Sequence, residues 1–168
     1  DVIGAAVPGH KTLRARRKKG GPYYAAIVPE AGNEKWPEID SRSDGLVTVN
    51  SSKSSDWIVL NPWNIKVEHE DFRFEGRCGV ARKGTDGSIS LALVDGKQIA
   101  LGPFRLASDS VSAEVVRHKN GTIHGTTYGE GGEVLIYPGD AKAIKKLIVK
   151  IKNKKVPANV EDKAIRFE

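Results

Sequence analysis

Apolar and polar residues alternate with a period of two along most of this chain, in short runs bounded by Gly, Asn, Asp or Pro. That is the pattern of half-buried β-strands. Leu46-Val47-Thr48-Val49, Trp57-Ile58-Val59-Leu60 and Ile65-Lys66-Val67-Glu68 read as successive strands. Asn61-Pro62-Trp63 is expected to break the chain between the last two, because proline fixes φ and donates no hydrogen bond. Phe72-Arg73-Phe74-Glu75 opens a longer strand toward Arg82.

Turn chemistry divides the middle of the chain. Thr85-Asp86-Gly87-Ser88 and Asp95-Gly96 each carry an Asp-Gly pair, which tolerates the positive φ of a two-residue hairpin turn, so hairpins are expected on both sides of Ile89–Val94. Lys119-Asn120-Gly121-Thr122 repeats the device between Val111–Arg117 and Thr122–Tyr128. A looser turn at Gly129–Gly132 precedes Val134–Tyr137, giving a meander. Near the end, Ile144–Lys152 reads as an edge strand whose lysines face solvent and discourage edge pairing. After a turn at Asn153-Lys154 come Val156 and a closing strand, Ala164–Phe167. Asp140–Lys146 is the one candidate helical turn, and Ala31–Gly45 and Ser51–Ser55 are the expected loose connections.

About a dozen short strands in 168 residues predict an all-β, antiparallel two-sheet β-sandwich or jelly-roll-like fold, as one domain over residues 1–168. With 39% apolar and 29% charged residues the composition is globular. No apolar run approaches the roughly 18 residues a membrane helix needs, so no membrane span is expected. The chain has no Met and no basic-then-apolar leader, which suggests a processed module of a larger parent chain.

Its net charge of +6 favours acidic partners, and the excess is concentrated in Lys11–Lys19 and Lys142–Lys155. In the first of these, Arg14, Arg16 and Arg17 combine guanidinium donors with the aromatic face of Tyr23, a composition suited to phosphate, sulfate or uronate groups. Trp57 lies in an apolar run and is expected in the core. Trp36 and Trp63 stand beside prolines and are expected to be partly exposed, as stacking platforms for sugar rings. The ligand-binding candidates are therefore Arg14, Arg16, Arg17, Tyr23, Trp36 and Trp63.

Nothing in the chain makes a catalytic constellation. The lone Cys78 excludes an internal disulfide and a Cys-based zinc cage, and reads as a small buried thiol. None of His10, His69, His118 and His124 falls in HxxxH, HxH or HExxH spacing. His118 and His124 flank the Asn120-Gly121 turn and would face each other across a hairpin, but read as exposed turn-proximal histidines, so no metal and no cofactor is expected. Glu68, Glu70, Asp71 and Glu75 are adjacent in sequence, whereas a catalytic carboxylate pair usually comes from separate elements. There is no GxSxG or SxxK, and Gly125–Gly132 lacks the Lys-Ser/Thr ending of a phosphate loop.

The order Tyr23–Pro29, Asp56–Leu60, Gly79–Arg82, Asp86-Gly87 and Val149–Val156 resembles the C-terminal β-sheet region of heparinase II/III-like polysaccharide lyases. The last piece is similar to the strand, Asn-Gly-Lys, strand ending of such sandwiches, with Lys154 following Asn153 where Gly would stand. The resemblance implies a trailing module. The family's catalytic Tyr and His belong mainly to a helical toroid and central β region, so none is carried over to this chain. The expected function is a noncatalytic module of a secreted or cell-surface carbohydrate-active protein, binding acidic polysaccharide on a basic and aromatic surface. The alternatives are a structural or adhesive module without ligand and a small β-fold polysaccharide-degrading enzyme. Nucleic acid, suggested by charge alone, is the weakest partner class.

Overall fold

A computed structural model describes residues 10–15, 24–29, 35–109, 112–128, 133–139, 146–151, 154–156, 159–161 and 164–167. The chain forms two compact units, Asp1–Trp36 and Pro37–Glu168. In the first, strand β1 (His10–Ala15) pairs antiparallel with β2 (Tyr24–Pro29).

The second unit is all-β, with no helix among its described residues, as the alternation predicts. Its backbone is one continuous antiparallel run of β3 (Glu38–Ser41), β4 (Leu46–Asn50), β5 (Ser54–His69), β6 (Phe72–Gly84) and β7 (Ile89–Leu101). At β7 the sheet forks. Ile89–Leu93 pairs with β9 (Ser112–Arg117), and the branch continues through β10 (Thr122–Tyr128), β12 (Lys146–Ile151) and β13 (Lys154–Val156). Gln98–Leu101 pairs instead with β8 (Phe104–Ser108), followed by β11 (Val134–Tyr137), β15 (Ala164–Phe167) and β14 (Asn159–Glu161). All these pairs are antiparallel except β10 with β12.

The fork is possible because the three long strands are bent. Between Leu60↔Cys78 and Ile65↔Gly76, residues 61–64 of β5 stand opposite the single residue Arg77 of β6. A second register shift leaves Lys97 of β7 unpaired between Gln98↔Glu75 and Gly96↔Gly76. Gly76 (φ +151°) and Gly96 touch backbone to backbone here, so a Cβ on Gly76 would strike the Cα of Gly96, and one on Gly96 would lie 2.7 Å from Leu93 Cδ1. Gly79 leaves the space that the Phe74 ring fills. The bulge reverses the alternation of β6. Phe72, Phe74 and Gly76 are buried before it, and Gly79 and Ala81 after it.

These bends correct two sequence expectations. Asp95-Gly96 is a bulge inside β7 and no hairpin turn, the positive φ of Asp95 (+56°) being used to kink a strand that continues to Leu101. Asn61-Pro62-Trp63 likewise interrupts the ladder without ending β5. Other expectations change too. β11 leaves the meander for β8, because the free edge of β10 is taken by β12. β12 is an inner strand, flanked by β10 and β13. Glu38–Ser41, within the expected loose connection, is β3, and the expected loose Ser51–Ser55 is a tight turn at residues 51–53 running into β5, in which Ser51 Oγ accepts from the amides of Lys53 (3.2 Å) and Ser54 (3.0 Å). The turns at Thr85–Ser88 and Lys119–Thr122 form as expected, with Gly84 N donating to Ser88 O (2.9 Å) and His118 N to Thr122 O (2.8 Å). Residues 129–132 and 140–145 lie outside the described residues.

Among the described residues one apolar cluster sits under the bent strands, with Phe72, Leu91, Leu93, Ile99, Phe104 and Leu106 fully buried. Trp57 packs against it, stacked on Phe72 at 6.3 Å between ring centroids. Arg117 ties the two branches together. Its guanidinium lies 4.9 Å from the Phe104 ring centre and donates to the carbonyl of Pro138 at 3.2 Å.

Three stability outcomes follow from this packing. Gly87→Ala, where φ is +85° and space is open, is expected to cost roughly 1–2 kcal/mol for the left-handed backbone alone. Gly76→Ala should cost more, since the same kind of strain is joined by a backbone clash; urea melts of the two variants give the order. Arg117→Ala, losing a ring contact and a charged donor, should cost about 1–2 kcal/mol in the same assay.

Candidate functional site

Residues paired directly across a sheet share a face, so the register assigns the outward surface. Val59, Gly79 and Leu93 form one buried row toward the core. The neighbouring row, Leu60, Cys78 and Val94, must then point outward, and so must Ile58, Val80 and Ala92. Leu60 is 44% exposed and Val94 47%. The outer face of β5–β6–β7 therefore carries two apolar rows where a water-facing sheet normally carries polar side chains.

At the end of these rows the β5 bulge lifts Trp63 to 74% exposure. Its conformation is set locally, by Asn61 Oδ1 accepting from Trp63 N at 3.1 Å and by the fixed φ of Pro62. Opposite this bulge, Arg77 Nη1 donates to Asp95 Oδ2 at 2.6 Å. Beyond the kink, Glu75 lies between Lys66 and Lys97, each 3.5 Å away. Desolvation acts to raise the Glu75 carboxyl, but the charges and hydrogen bonds of Lys66 and Lys97 outweigh it and hold the group below the usual carboxylate range. Both lysines are well exposed, at 77% and 75%, and share one carboxylate. Arg77, Asp95, Lys66, Glu75 and Lys97 thus leave one net positive charge on the strand positions next to this bulge.

Chemically the patch offers one flat aromatic face, apolar surface beside it, ammonium and guanidinium donors, and a carboxylate acceptor. Among the described residues no three His, Cys, Asp or Glu side chains gather as a metal site, and no helix is long and apolar enough to cross a membrane. A separate polar group pins the β3–β4 turn. Arg42 forks onto Asp44 (3.3 and 2.8 Å) and donates to His69 Nδ1 (2.7 Å), which leaves that histidine's proton on Nε2.

Of the sequence candidates, Trp63 stands in this patch. Trp36 is 43% exposed and belongs to the first unit, as does Arg14, whose backbone pairs with Ala25. Arg16, Arg17 and Tyr23 lie outside the described residues. Lys66, Glu75, Arg77, Asp95 and Lys97 were not singled out as a group from sequence. Their meeting depends on the two register shifts, and the only local sign of those shifts is Pro62 and the Asp95-Gly96 pair within strand-like runs. Cys78 is half-buried on the outer face and not in the core, because the bulge at Gly76 turns it outward. Comparison with protein-family models, with curated proteins and with solved structures finds no match.

Burial pushes the Cys78 thiol up, and the nearby Asp95 carboxylate adds to the effect. The thiolate fraction at neutral pH is therefore below that of free cysteine, and alkylation by iodoacetamide at pH 7.5 should be slower than for a cysteine peptide. Asp95→Asn should speed it, and raising the pH should speed it in both proteins. A rate equal to the peptide's would contradict this placement.

Proposed function

We propose that this chain is a noncatalytic β-module of a secreted or cell-surface carbohydrate-active protein, and that the outward face of β5–β6–β7 binds acidic polysaccharide. The observation that supports the reading is Trp63, 74% exposed on a bulge of β5 whose neighbouring strand positions carry the exposed cations Lys66, Arg77 and Lys97. An indole stacks on the apolar face of a sugar ring, while Lys66, Lys97 and Arg77 supply charge-assisted hydrogen bonds to uronate or sulfate. The basic run with Arg14, Arg16, Arg17 and Tyr23 adds long-range attraction, in keeping with the net charge of +6. We further read the forked sheet as the two layers of a sandwich. Support comes from the core, where Val115 and Ile123 of one branch join Val134, Ile136 and Ile165 of the other in one buried cluster. Such a module fits the trailing β-region of a heparinase II/III-like lyase, with the catalytic groups in the rest of the parent chain.

A second reading has its own support. The rows Ile58, Val80, Ala92 and Leu60, Cys78, Val94 suit a dry contact with the rest of a parent chain, as in a purely structural module.

Retention on immobilised heparin-like and neutral polysaccharides separates the two. The binding reading expects selective retention on the acidic polymer, lowered about tenfold or more in affinity by Trp63→Ala, the usual scale for a central aromatic contact. Lys66→Gln/Lys97→Gln should weaken binding and flatten its salt dependence. Retention lost in Arg14→Ala/Arg16→Ala/Arg17→Ala but unchanged in Trp63→Ala would move the site off this face. Retention on no polymer would favour the structural reading.

A further inference from the structure

At the far end of the β9–β10 hairpin two imidazoles meet. His124 stands opposite Val116 in the ladder, and His118, one residue past β9, bonds through its amide to Thr122 O. This places the two histidines diagonally on the same outward face. The turn that joins them is tightly held, with Gly121 at φ +79°, Gly121 N donating to His118 O at 3.0 Å and Thr122 N donating to Asn120 Oδ1 at 3.0 Å. His118 Nε2 and His124 Nδ1 lie 3.3 Å apart, the rings 73° from coplanar with centroids at 4.8 Å.

We propose that His118 and His124 chelate a divalent transition-metal ion, of the Zn2+ or Cu2+ class, through these two nitrogens. A zinc–nitrogen bond of about 2.0–2.1 Å with a tetrahedral angle requires the two donors to be about 3.3–3.4 Å apart. The hairpin already sets that spacing, and the rings need only turn so that both lone pairs converge on the ion. In the chelate both coordinating nitrogens are unprotonated, and the rings carry their protons on His118 Nδ1 and His124 Nε2. The metal then sits toward solvent, because His118 is half-buried and His124 exposed, and water fills its remaining positions. His124 lies in the outward row Asp56, Arg82, Ser90, Val116 and His124 of the same sheet, and the chelate uses none of the residues proposed to bind polysaccharide.

The test is calorimetric titration of the full chain with ZnCl2 and with CuCl2 at neutral pH, with ring resonances followed by NMR. One saturable equivalent is expected, tighter for Cu2+. Loss of a group that merely supports a ligand costs about 10–100-fold in metal affinity, so His118→Ala and His124→Ala should each weaken binding at least that much. Circular dichroism checks that both variants keep their sheet. His69→Gln should bind as the parent does. No saturable binding by the parent chain at millimolar metal, or unchanged affinity in either alanine variant, would overturn the proposal.

Discussion

The contact on which the second unit depends is the backbone approach of Gly76 and Gly96. A sheet built from strands as long as β5, β6 and β7 cannot stay flat and also enclose a core. It must bend, and bending costs ladder hydrogen bonds unless register shifts localise the strain. Here the bend falls where two residues without Cβ atoms meet, and the extra residues of β5 and β7 are extruded on either side of β6. The phase reversal along β6 keeps Phe72 and Phe74 buried before the kink and Ala81 after it, on the same core.

The extruded segments are also where exposed aromatic and charged side chains collect. Residues forced out of a ladder lose neighbours on both sides, which is why Trp63 is so exposed in an otherwise well-buried set of strands. Lys97 leaves the β6–β7 pairing and reaches Glu75, where Lys66 arrives from the opposite strand. The same shift turns Cys78 out of the core and completes the apolar row with Leu60 and Val94. One backbone constraint thus fixes the core, the outward row and the aromatic patch together.

Strand identity and most tight turns were legible in the sequence, because period-two alternation and Asn-Gly or Asp-Gly chemistry are local properties. The Asp86-Gly87 and Asn120-Gly121 turns show this. Asp95-Gly96 shows its limit, since the same dipeptide serves a hairpin or a bulge according to which strand lies alongside, and the long-range partner is absent from a local pattern. The parallel β10–β12 pair and the departure of β11 to β8 were hidden for the same reason. Exposure of Trp36 and Trp63 was legible from their flanking prolines. The Lys66–Glu75–Lys97 group was not, because it spans three strands and exists only in the shifted register.

The most direct test of this register is the set of cross-strand backbone NOEs and slowly exchanging amides around residues 94–98. Contacts from Val94 to Cys78 and from Gln98 to Glu75, with Leu60 facing Cys78, are expected for a bulged, continuous β7. Contacts pairing Val94 with Lys97 across a hairpin turn at Asp95-Gly96 would contradict it, and would dismantle the outward face on which the proposed binding rests.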